Sequence, residues 1–188
     1  MNRTLPQDGI VLFALALLAL PMVAGDGASA PADRPAPATD RVGFPAEYAT
    51  RFAVLRTFDR GERQVVTVYG NVEAAQVKGA ADLPFPNGSI LVMETADAVR
   101  DASGARRKGP DGRVEKEKVV GLHVMRRGPD FGTAYGTNRA GPWEFVEYRP
   151  DGSYLTPPAK SAACAECHVK AGPARDYVYR GPLPPAAP

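Results

Sequence analysis

Near the C-terminus the chain reads SAACAECHVKAG, which places Cys164, Cys167 and His168 together. These are its only two cysteines and one of its two histidines. Thiols three residues apart lie about one helical turn from each other, so both can add to vinyl groups on one porphyrin edge. The next residue then turns its imidazole under the iron. C-x-x-C-H therefore points to one covalently held haem c, with Cys164 and Cys167 as thioether anchors and His168 as proximal iron ligand. Three other chemistries fit less well. A thioredoxin-like redox pair would open a helix in a βαβ unit, whereas this segment follows antiparallel strands. Structural zinc needs four ligands, and the chain offers only Cys164, Cys167, His168 and His123. A disulfide at this spacing would close a loop too small to constrain the unfolded chain. If the sixth iron position is filled from the chain, the candidates are His123, Met93 and Met125, and alternation puts His123 and Met125 on one strand face.

The elements that must position this group are mostly strands. Residues 63–70 (RQVVTVYG) are β-branched and aromatic, as are SILVMETA, VVGLHVMRR (119–127) and PWEFVEY (142–148). FPNG (85–88) and Asp151-Gly152 are turn sequences. PAEYATRF reads as a short helix entered through proline, and Asn71 can cap a helical stretch, VEAAQVKGAA. Residues 100–118 mix both charge signs around Gly-Pro-Asp-Gly and read as a solvated hairpin loop. The small-residue segment around the cysteines is helix-compatible. Together these predict an α+β fold: an antiparallel sheet of four to five strands, a few short helices and a haem-bearing C-terminal segment.

The ends have other roles. Residues 10–24 (IVLFALALLALPMVA) form an apolar run behind Arg3, of signal-peptide rather than membrane-span length. We assign 1–25 to a signal peptide cleaved between residues 24 and 30, with an uncleaved anchor as the alternative. Either way the folded part is exported, to the periplasm. Residues 26–43 read as a disordered linker, 44–181 as the haem domain and 182–188 as a disordered tail. A net charge of +2 over 188 residues is too balanced for nucleic-acid binding. An electron-transfer partner, unnamed by the sequence, is expected.

The order of motifs resembles the cytochrome P460 family, including its β-sheet cytochromes c′. TVYGN resembles the family's Tyr-x-Asn strand end, and FPNGSILVME its Pro-Asp-Gly turn with a Val-Lys-Glu strand. VMRRG, GPWEFVEY and DYVYR resemble its later strand ends and closing motif, over roughly residues 44–180. The resemblance implies a five-coordinate haem on a curved antiparallel sheet, an apolar distal pocket and chemistry with small nitrogen species. It also implies, by analogy, a homodimer. Family enzymes oxidise hydroxylamine and carry a lysine bonded to the porphyrin, whereas the c′-type members bind nitric oxide. Met93 stands where that lysine would be, and a thioether cannot form the nitrogen–carbon link. Lys78, on the preceding segment, would need a shifted alignment and reads as a solvated helix residue. The distal face is expected from the strand at 65–69, with Val66 and Val68 on one side. Glu94 and Glu144 are the nearest candidates for the family's distal carboxylate, although a surface role is expected for each. The resulting expectation is a cytochrome binding a small diatomic at an open haem, with hydroxylamine oxidation and plain electron transfer as the alternatives.

Overall fold

The computed structural model describes residues 34–179. Residues 1–25, expected to be a signal peptide, residues 26–33 of the expected linker and the tail at 182–188 lie outside the described residues. Among the described residues no helix is long and apolar enough to cross a membrane.

Six strands form one antiparallel sheet in which each strand pairs with the next along the chain. They are β1 (Ala53–Arg60), β2 (Gln64–Gly70), β3 (Ile90–Ala98), β4 (Lys116–Arg127), β5 (Trp143–Tyr148) and β6 (Tyr154–Thr156). Three short α-helices accompany them: α1 (Tyr48–Arg51) before β1, α2 (Val72–Ala75) between β2 and β3, and α3 (Ala162–Val169) after β6. The α+β antiparallel architecture is as expected, and the strand count is higher. The additional strands are the two edges. Strand β1 leaves most of its side chains in water, so no alternation marks it, and β6 is only three residues long. Strand β4 also begins earlier than its apolar run, because Lys116 in the charged stretch pairs with Ala98.

Alternation divides the sheet into two buried faces. On one, Leu91, Met125, Phe145 and Trp143 pack with Ala165 of α3 and with Val178. On the other, Tyr69, Val92, Leu122, Val124, Val146 and Tyr148 pack with Val42 and Tyr48. Of residues 34–43, whose composition reads as linker, Asp40 to Gly43 cover part of this second face, while Ala36 packs on the first and Arg34 pairs with Glu166 of α3. The Asp40 carboxylate accepts the backbone N–H groups of Val42 and Gly43, both at 2.9 Å, and the Tyr148 hydroxyl at 2.6 Å. Val42 is then only 2% exposed. Anchoring by two or three side chains leaves no periodic trace in a sequence, which is why composition did not reveal it.

The surface roles expected for Glu94 and Glu144 are overturned on this face. Glu94 is buried between the Tyr48 hydroxyl and the Lys116 ammonium, the latter 2.5 Å away. Glu144 is buried against the Arg41 guanidinium. Each carboxylate is compensated by a cation, as a buried charge must be. Both alternate away from Met93 and Phe145, and hence away from the cysteine helix.

Candidate haem site

The strand register assembles one row of side chains across five strands. Val68 of β2 stands opposite Met93 of β3, Met93 opposite His123 of β4, His123 opposite Glu147 of β5, and Glu147 opposite Thr156 of β6. Two residues further along, Leu91, Met125 and Phe145 form a parallel, wholly apolar row. Helix α3 covers these rows and leaves a cavity of about 390 Å³. Cys164, Cys167 and His168 line it from the helix, and Val68, Leu91, Met93, His123 and Glu147 from the sheet.

His168 is prepared as a ligand by the segment that follows it. Its Nδ1 lies 2.7 Å from the carbonyl oxygen of Tyr177. A carbonyl can only accept, so Nδ1 carries the proton and Nε2 keeps its lone pair for a metal. Burial holds the imidazole below its ordinary pKa against the opposing Tyr177 hydrogen bond, with His123 adding to the shift, which favours the neutral, ligating form. The carbonyl is aimed by two successive left-handed residues, Asp176 at φ 47° and Tyr177 at φ 61°. Such backbone costs about 1–2 kcal/mol per residue for L-amino acids, so other contacts must hold it. They do. The Asp176 carboxylate accepts the Phe85 N–H at 3.0 Å and the Arg127 guanidinium at 3.3 Å. The Tyr179 hydroxyl donates to the Cys167 carbonyl at 3.0 Å, and its ring meets His168 edge-on. Phe145 from the sheet packs on the same imidazole with ring centroids 4.6 Å apart.

Both cysteines are free thiols three positions apart in α3. Burial, reinforced by Glu147 and Cys167, pushes the Cys164 thiol up to about 12. That is the reverse of the acidic, reactive thiol that disulfide exchange requires. Among the described residues no group of three or more His, Cys, Asp and Glu side chains converges as on a bare metal ion. Two thiols on one helix, one imidazole with Nε2 available and a largely apolar cavity, with His123 and Glu147 paired to each other in its wall, are a donor set that fits haem.

The other sequence-derived residues separate clearly. Met93, Met125, His123 and Val68 line the cavity. Val66 shares the strand face of Val68 but is buried outside the lining. Lys78 is exposed and also outside it, and none of the cavity's described lining residues is a lysine. Glu147 is the residue that sequence reasoning missed. Its Oε1 lies 2.5 Å from His123 Nδ1, and its Oε2 accepts the Thr156 hydroxyl. The His123 contact, followed by the Thr156 hydroxyl, holds the Glu147 carboxyl below the usual carboxylate range against the opposing effect of burial. Alternation in WEFVEY already placed Glu147 on the face of Trp143 and Phe145. Only the register, which a single sequence does not carry, places it beside His123.

A family model described as Cytochrome P460 matches residues 45–180. No curated protein matches the chain.

Proposed function

This chain belongs to the cytochrome P460 family, and from that premise we propose that it is an exported, mono-haem c-type cytochrome whose second axial face binds nitric oxide. Haem binding follows from the family. The finer reading rests on one observation: His168 offers Nε2 into a cavity floored by Val68, Leu91, Met93, Met125 and Phe145. Haem bound there supplies an iron that, when ferrous, takes small diatomic ligands. The chain's own residues do the rest. Cys164 and Cys167 retain the group through two thioethers, and the Tyr177 carbonyl fixes the ring of His168. The apolar row of Leu91, Met125 and Phe145, with Val68 and Met93 beside it, limits water around the group and suits a neutral diatomic, while the polar side chains His123 and Glu147 are paired with each other.

Hydroxylamine oxidation is the less supported activity. The family resemblance ties it to a lysine bonded to the porphyrin, at a position occupied here by Met93. Lys78 stays outside the cavity. A plain electron-transfer role is favoured by one specific observation, the His123–Glu147 pair, because iron-ligating histidines commonly donate Nδ1–H to a carboxylate.

The test is anaerobic titration of the reduced holoprotein with nitric oxide, followed by hydroxylamine and an electron acceptor under the same conditions. One nitric oxide per haem and no sustained acceptor reduction are expected. Steady turnover of hydroxylamine, or a ferrous spectrum indifferent to nitric oxide, would overturn the proposal.

A further inference from the structure

The two histidines of this chain line the same cavity, one from α3 and one from the sheet. They are held in the same way. His168 has Nδ1 against the Tyr177 carbonyl at 2.7 Å, and His123 has Nδ1 against Glu147 Oε1 at 2.5 Å. Each acceptor selects the tautomer with hydrogen on Nδ1 and leaves the lone pair on Nε2. Glu147 is itself immobilised, because its second oxygen takes the Thr156 hydroxyl from β6.

We propose that His123 is a displaceable second axial ligand, closing the haem face opposite His168 until a stronger ligand takes its place. Glu147 and Thr156 are positioning residues that present Nε2 and receive the ring when it is displaced. The sulfurs of Met93 and Met125 are less suited. Met125 is only 7% exposed and committed to the core, and Met93 packs between Val68 and His123 with no polar partner to orient it. The His123 side chain is 35% exposed, which gives it room to swing aside. Displacement exchanges one iron–nitrogen bond for one iron–ligand bond and needs no oxidant or reductant. Its consequence is selectivity: a ligand that binds iron more weakly than an intramolecular imidazole does not enter, whereas nitric oxide does. The inference rests on the haem reading above.

The experiment is absorption and electron paramagnetic resonance of the ligand-free holoprotein, beside His123→Ala, His123→Gln and Glu147→Gln. A low-spin, bis-imidazole spectrum is expected in the parent chain and a high-spin spectrum in both His123 variants. Carbon monoxide should bind those variants at least ~10-fold faster, since no internal ligand must leave. Glu147→Gln should give a mixture of spin states, and free imidazole should restore the low-spin spectrum of His123→Ala. A parent chain that is already high-spin, or variants that keep the low-spin spectrum, would overturn the proposal. Nitric oxide binding is read separately. If neither the parent nor His123→Ala takes nitric oxide, the ligand-binding reading fails, while the spin states still decide the role of His123.

Discussion

At the scale of single residues, the site depends on which atom of each side chain is left available. The Tyr177 carbonyl accepts from His168 Nδ1, so the ring nitrogen left available for iron is Nε2. His168→Gly should therefore keep covalently attached haem and lose the proximal imidazole. Imidazole added at millimolar concentration should restore the parent absorption spectrum, and failure of that rescue would argue that His168 acts structurally. Glu147 can be tested through pH. Its folded pKa lies below the ordinary 4.5, chiefly through His123, so the folded state holds fewer protons than the unfolded chain as the medium is acidified. Its contribution is present above pH 4.5 and is lost as pH falls through the folded value. Urea denaturation of the holoprotein at a series of pH values should show stability falling in that window, with a shallower fall in Glu147→Gln. Identical slopes in the two proteins would show that the His123 contact contributes nothing to folding.

At the scale of elements, two connections hold the cavity's walls in place. Asn71 caps α2 by accepting the Ala74 N–H at 3.1 Å, and the same oxygen accepts the Ile90 N–H at 2.9 Å. Its amide donates to the Gly88 carbonyl at 2.9 Å, so one side chain ties the end of β2 to the start of β3. Asn71→Ala should lower stability by about 1–3 kcal/mol, read by urea denaturation, since it removes a cap and leaves buried partners unsatisfied. The second connection is the strap from Asp176 to Tyr179. Gly141, at φ +58°, comes so close to it that a Cβ there would lie 2.8 Å from the Tyr177 ring. Gly141→Ala should cost roughly 1–3 kcal/mol from the strained backbone and the displaced ring. It should also perturb the haem spectrum, because Tyr177 orients His168. A variant as stable as the parent and with its spectrum would contradict this role. These elements also show how far a single sequence reaches. The Asn71 cap and the central strands were legible because both obey local rules. The strap was visible only as a family-like motif, since its contacts join Asp176 to Phe85 and Arg127, far away in the chain.

At the scale of the whole molecule, the sheet is a partition. One face with α3 builds the candidate haem cavity, and the other, covered by residues 40–52, buries Glu94 and Glu144 with their cations. Alternation put His123 and Met125 on one face of their strand, but could not show that Val68, Met93, Glu147 and Thr156 would join His123 in one row. That row exists because five strands pair in register, and register is settled by the packing of the whole sheet. In the proposed function, this partition holds one haem through Cys164 and Cys167. The most direct test is the intact mass of the denatured holoprotein, measured beside the Cys164→Ala, Cys167→Ala double variant. The parent chain should carry the mass of one haem after denaturation, and the double variant none. A parent chain at its bare polypeptide mass, after expression with haem-attachment machinery that loads a control cytochrome c, would contradict it.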